Sequence, residues 1–452
     1  MLSILTSAAA WALSEDELFE TPEHVLVAAS ARDAGKPATF VLKYALEAPA
    51  TAPEHGFGLF VCFHGHGGQA PHEARTVIAT LKRLGLSDGY VVLGAKSQGA
   101  GWDMKVDDLP VTKLIAWAKQ AFPIDPRRIY VFGMSSGGGM SGGYGVKHPE
   151  SIAAAIIFGS GTWNIPAVKD AALTMPDFYH VMGLLDDDPH KNASRQGCAN
   201  LKKLGYRSIY REVDGLGHTS NHPPTNDDSV LWATRLRHKL IAPVGGDLDA
   251  LKAVLRPSKA KPTTPAAIEE VVRVGGPPAG PAAVLALKDK DPTVKTAAAE
   301  AFARSLFGDE PLVALARALR DDSAELRAAA FASLATCANW RYSTAQQALM
   351  QAATAKRMDQ ADRLLAIAGL AAAVRFQVKG NYQDPPLFAC LVGLLDDDDQ
   401  AVRAAAFAVL EPCQPSAYDA VADKPGRAAA LGAWRAWAAA LKPSEDAFID
   451  AR

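Results

Sequence analysis

The chain has 452 residues, more than one ordinary hydrophobic core accommodates, so two domains are the expectation. With 47 basic against 49 acidic residues, its net charge of -2 gives no basis for binding nucleic acid or an anionic membrane. Five scattered cysteines (Cys62, Cys198, Cys337, Cys390 and Cys413) form no C-x-x-C pair, which argues against a disulfide framework or zinc cluster, and no run is apolar enough for a membrane span.

The chain begins with an apolar stretch, Met1 to Leu13, carrying small residues at Ala8, Ala10 and Ala12. No Lys or Arg precedes Arg32, so the positive region of a signal peptide is missing. Residues 1–20 are read as a short N-terminal helix, with an atypical signal peptide as the alternative; export and a cytoplasmic location both stay open.

From residue 21 to 245 the pattern alternates. Strands are predicted at His24–Ser30, Thr39–Leu46, Leu59–Phe63, Tyr90–Leu93, Arg128–Phe132, Ala153–Phe158, Phe178–Met182 and Ser208–Val213. Helical periodicity falls at Glu73–Leu84, Val111–Phe122, Gly137–His148, Asn192–Leu204 and Ser229–Leu240. A hairpin followed by βα repeats predicts an α/β domain with a mainly parallel sheet covered on both faces.

Motifs follow the same order. After the third strand comes Phe63-His64-Gly65-His66-Gly67-Gly68, a Gly-rich turn whose backbone N–H groups can approach a carbonyl oxygen. Metal binding by His64 and His66 is the competing reading; their spacing on one strand end, with no Asp or Glu nearby, argues against it. The fifth strand runs into Gly133-Met134-Ser135-Ser136-Gly137, a G-x-S-x-G elbow in the strand–turn–helix context that projects the serine above a sheet. By position, the amides of His66 and Ser136 are the candidate oxyanion donors. Trp102 and Trp163 fall on loops at the C-terminal strand ends, where either stacking on substrate or packing is expected. Only residues 159–177 separate the sixth and seventh strands, too few for a lid domain.

The seventh strand leads to Gly183-Leu184-Leu185-Asp186-Asp187-Asp188. One of these carboxylates is expected to orient a histidine; Asp186, the first past the strand, is preferred over Asp187 and Asp188, which also suit helix capping. The base is assigned to His218 in Asp214-Gly215-Leu216-Gly217-His218, with His222 as competitor. Ser, Asp, His is the chain order of an α/β-hydrolase triad.

Residues 246–262 read as a linker, and all 11 histidines lie at or before His238. From 263 to 452 the grammar is Ala-rich and helical. Asp291, Asp322, Asp359 and Asp399 each open a helix, and Lys295, Arg327, Arg363 and Arg403 follow within each repeat. The aspartates are expected to cap helices and pair with the basic residue one turn on. This pattern resembles HEAT repeats, an extended surface for a protein or polymer partner. Trp434 and Trp437 are expected to pack as a C-terminal cap, with sugar stacking the alternative.

Residues 24–240 resemble the compact esterases grouped with polyhydroxybutyrate depolymerases and feruloyl or acetylxylan esterases. The matching pieces are Phe63-His-Gly-His-Gly-Gly68, Ile124-Asp-Pro-Arg-Arg-Ile-Tyr130 leading into the elbow, Gly183-Leu-Leu-Asp186 and Gly215-Leu-Gly-His218. Where that family has a His-Gly pair before the acid, this chain has Met182-Gly183. The resemblance implies a serine carboxylesterase and does not fix its ester; a polymer-linked ester, an acylated sugar and a phenolic ester are the candidates, and no cofactor or metal is expected. A serine peptidase of the prolyl-oligopeptidase kind uses the same triad, but no β-propeller precedes the domain. A binding scaffold is the third reading.

Overall fold

The computed structural model describes residues 24–32, 36–241, 263–275, 280–304, 309–374, 384–414 and 417–441. The expected N-terminal segment (1–20) and linker (246–262) lie outside the described residues. Contacts divide the chain into two compact units, Met1–Tyr210 with Gly215–Gly245, and Arg211–Asp214 with Gly246–Arg452.

The first unit is built on eight strands: β1 (His24–Arg32), β2 (Lys36–Glu47), β3 (Phe57–Phe63), β4 (Tyr90–Ala95), β5 (Ile124–Met134), β6 (Ala154–Phe158), β7 (Asp177–Gly183) and β8 (Ser208–Val213). Their order is β1-β2-β4-β3-β5-β6-β7-β8. β1 and β2 form the antiparallel hairpin, β2 meets β4 antiparallel, and β4, β3, β5, β6 and β7 run parallel to their neighbours. Crossovers between parallel strands need a connecting segment, usually a helix: α1 (Pro71–Arg83) lies between β3 and β4, α2 (Met104–Ala121) between β4 and β5, α3 (Ser136–Lys147) between β5 and β6 and α4 (Asp188–Lys203) between β7 and β8, while α5 (Pro223–Arg235) follows β8.

Both faces of the sheet are covered, which explains the continuous apolar runs. Leu59, Val61 and Phe63 of β3 join one core with Leu114, Ile115 and Ala118 of α2 and Met140 and Tyr144 of α3. Phe60, one residue along and so on the opposite face, packs its ring 5.0 Å from that of Tyr130. With this strand order and the strand–serine–helix junction at Ser135, the unit is an α/β-hydrolase domain.

Several helix boundaries differ from the sequence reading, α4 starting at Asp188 rather than Asn192 and α5 at Pro223 rather than Ser229 among them, and two have a plain hydrogen-bond cause. α2 begins at Met104 rather than Val111, because Asp103 caps Lys105 N at 2.9 Å, while Asp107 accepts from Gln98 N and Asp103 N, each at 2.8 Å. Pro110 lies inside the helix so formed. α5 stops at Arg235 rather than Leu240. Beyond it the chain is anchored: His238 N donates to Arg127 O (2.8 Å), His238 Nε2 to Pro149 O (2.6 Å), and Lys239 Nζ to Ala172 O and Met175 O.

The second unit contains, among the described residues, α6 (Pro265–Gly275), α7 (Gly280–Ala286), α8 (Pro292–Arg304), α9 (Asp309–Ala318), α10 (Ala324–Asn339), α11 (Ser343–Thr354), α12 (Gln360–Val374), α13 (Pro385–Leu394), α14 (Gln400–Leu410) and α15 (Lys424–Ala440). Helices two apart in sequence stack on one another, giving an even-numbered row and an odd-numbered row. The rows meet where α9 packs on α10, α11 on α12 and α13 on α14. Trp434 is fully buried, with Trp437 edge-on at 5.4 Å.

The expected pairing within each repeat is corrected here. Asp291 and Asp399 turn their carboxylates to the free N–H groups of their own helices, at 2.8 Å from Thr293 N and Ala401 N. The basic residues reach the next repeat instead: Lys295 Nζ to Asp321 (2.9 Å), Arg327 Nε to Asp362 (2.7 Å) and Arg363 Nη1 to Asp397 (3.2 Å).

Candidate active site

Ser135 stands between β5 and α3 with φ 55 and ψ -119, a conformation an L-residue adopts only under constraint and at a cost of about 1–3 kcal/mol. Two backbone bonds hold it, Ser135 N to Phe158 O (2.8 Å) and Gly139 N to Ser135 O (3.0 Å). The flanking glycines are there because nothing larger fits. A Cβ on Gly133 would lie 2.1 Å from Gly137 O, and one on Gly137 only 2.0 Å from Phe63 O.

That contact ties the elbow to the Gly-rich turn after β3. Gly67, with φ +72, donates to Ala100 O at 2.6 Å, and Gly68 donates back to Gly65 O at 3.0 Å. His64 is buried: its Nδ1 donates to Gly65 O (2.6 Å) and its Nε2 accepts from Ser97 N (3.2 Å), a neutral tautomer that shapes the turn. His66 and Ser136 flank Gly101, where a Cβ would lie 2.9 Å from His66 Nδ1 and 3.0 Å from Ser136 Oγ. The N–H of Ser136, at the first position of α3, has no intrahelical partner.

His218 and Asp186 meet with Nδ1 donating to Oδ2 at 2.7 Å. Asp186 is buried, and its other oxygen accepts from Asp187 N at 2.8 Å. Close packing sets this pair: a Cβ on Gly183 would lie 2.1 Å from Leu216 O, and Leu185 N donates to that same oxygen at 2.9 Å. A Cβ on Gly159 would lie 3.2 Å from His218 Cε1, so the imidazole rests on the end of β6, beside the Phe158 carbonyl that holds Ser135. Among the described residues no hydrogen bond joins Ser135 Oγ to His218; such bonds commonly tighten only with substrate bound.

The competing residues go elsewhere. Asp187 is the N-cap of α4, held below the usual carboxylate range by the backbone N–H and side chain of His190. Asp188 pairs with Lys191 at 3.0 Å. The ring of His222 bonds Thr225 Oγ1 at 3.0 Å rather than a carboxylate.

The two tryptophans part company. Trp102 packs edge-on against Phe63 at 4.9 Å, donates from Nε1 to His64 O and from its backbone N to Ser136 Oγ, both at 2.8 Å. It braces the Gly-rich turn against the elbow. Trp163 is 49% exposed and lies against Gly139, in the first turn of α3. Leu185, beside Asp186, is 70% exposed. Between β6 and β7 the only helix is a four-residue turn, Ala171–Thr174, so the segment forms no lid domain.

Three neighbours escaped the sequence reading. Glu73 on α1 is buried and accepts from Ser220 Oγ at 2.6 Å, holding the loop two residues past His218. Burial pushes its carboxyl up to about 7, opposed by the Ser220 hydrogen bond. His190, one turn into α4, stacks its ring 4.3 Å from that of His218.

No protein-family model matches the sequence, and no curated protein matches it either. Solved structures are similar at low identity. A thermostable esterase is 19% identical, with 47% of this chain and 63% of that chain covered and a TM-score of 0.37. A ferulic acid esterase is 15% identical over 47% of this chain and 98% of that one, with a TM-score of 0.38. An acetyl xylan esterase from Aspergillus awamori is 15% identical over 42% and 94%, with a TM-score of 0.34. At these values the likenesses assign no activity to this chain.

Proposed function

We propose that the chain is a serine carboxylesterase with Ser135 as nucleophile, His218 as general base and Asp186 as the acid that orients it. The observation that carries this reading is the 2.7 Å bond from His218 Nδ1 to Asp186, with the ring set beside the strained serine elbow. Because Nδ1 carries the proton toward Asp186, the Nε2 lone pair is available to take the proton of Ser135 Oγ. Attack on an ester carbonyl then places the developing oxyanion against the N–H groups of Ser136 and His66, each worth about 2.7–4 kcal/mol in comparable sites. His218 returns the proton to the leaving alcohol. Water, activated by the same imidazole, hydrolyses the acyl-enzyme.

Trp163 and Leu185 are exposed near this centre, and a β6–β7 segment too short for a lid domain suits a bulky ester: polymer-linked, or an acylated sugar or phenolic ester. The helical unit carries no part of this chemistry; we read it as a HEAT-like surface for a protein or polymer partner. The test is hydrolysis of p-nitrophenyl acetate by wild type, Ser135→Ala and His218→Ala, with folding checked by circular dichroism. Each variant is expected to lose roughly 10⁴-fold or more in kcat with an unchanged spectrum. A folded Ser135→Ala variant within tenfold of wild type would remove the proposal.

A further inference from the structure

His190 has no part in the reaction as derived, yet it stands against the two groups the reaction uses. Its ring centroid lies 4.3 Å from that of His218, and its Nδ1 is 3.8 Å from Asp186 Oδ1. The spacing follows from local structure: Asp186 precedes the cap of α4 and His190 sits one turn further on, so both project from the same helix end. One ligand atom each from Asp186, His190 and His218 lie within 4.8 Å of one another. Both imidazoles are accessible, with 41% and 34% of their side chains exposed, while the carboxylate is buried.

Two imidazoles and a carboxylate are the donor set of open zinc sites, which leave a fourth position to water. With bonds of about 2.0–2.2 Å, tetrahedral geometry separates ligand atoms by roughly 3.3–3.6 Å. Reaching that spacing from 4.8 Å requires rotation of exposed side chains rather than movement of the fold.

We propose that Asp186, His190 and His218 form an inhibitory site for zinc or a similar divalent transition metal. The inference rests on His218 being the general base. A metal held there occupies the imidazole and the carboxylate that proton transfer needs, so binding and hydrolysis exclude each other. Magnesium and calcium, which favour six or more oxygen ligands, do not fit this donor set.

Two measurements test the site. Calorimetric titration of Ser135→Ala protein with zinc chloride needs no turnover, so it reads the site even if the esterase reading fails. One zinc per chain is expected, with affinity falling by more than the roughly 10–100-fold that loss of an outer-shell partner costs when His190→Gln is added. In the otherwise wild-type enzyme, zinc is expected to inhibit p-nitrophenyl acetate hydrolysis reversibly, with EDTA restoring the rate and magnesium chloride without effect. His190→Gln should keep the basal rate and raise the inhibition constant by a similar factor. Zinc affinity unchanged by His190→Gln would overturn the site. Zinc that binds through His190 yet leaves hydrolysis untouched would overturn the inhibition.

Discussion

Glu73 shows how a residue far from the reacting atoms reaches them. Its carboxyl, ordinarily near 4.5, is pushed up to about 7 by burial, and it holds Ser220 in the loop that carries His218. The folded protein therefore keeps this proton until about pH 7, whereas the unfolded chain releases it near 4.5. The stability it contributes is fully present below about 4.5 and lost as pH rises through about 7. Glu73→Gln lacks that dependence. Relative to it, wild type should lose up to about 3 kcal/mol between these limits, measured by urea denaturation at several pH values, and stay level above them. A gap that does not move with pH would contradict the assignment. Glu73 was not legible in the sequence because its partner lies 147 residues away and nothing local marks it. Ser135, by contrast, was legible because its constraint is local: two glycines, a preceding strand and a following helix within one short stretch.

The same contrast holds for elements. All eight strands were legible, the central β3, β4 and β6 most plainly from continuous apolar runs, since burial on both faces leaves little room for polar side chains. Helix ends were less so, because Asp103 and Lys239 act through partners the pattern does not reveal. The junction of β3, β5 and α3 leaves no room for a side chain. Gly137→Ala would set a Cβ 2.0 Å from Phe63 O and 2.6 Å from His64 O, both backbone atoms, so the Gly-rich turn must move. We expect a loss of about 1–3 kcal/mol or more in urea denaturation and a loss of ester hydrolysis with it. Gly432→Ala, on an open position of α15, provides the control and should be neutral or stabilising by up to about 1 kcal/mol. Equal stability of the two variants would contradict this packing account.

For the whole molecule, sequence grammar separated an alternating α/β part from a repetitive helical part, and the absence of histidine after His238 marks the same change. The repeat period was legible because capping aspartates recur with it. The direction of the ion pairs was not, since Arg363 reaches Asp397 only once consecutive repeats are stacked. All three groups of the proposed chemistry lie in the first unit. The central claim is that this unit carries out nucleophilic catalysis through one serine among several exposed hydroxyls. It is tested most directly by treating the full chain with a fluorophosphonate and mapping the adduct by peptide mass spectrometry. The account predicts a single covalent adduct on Ser135, absent from Ser135→Ala. An adduct on another residue, or no labelling of a folded protein, would contradict it.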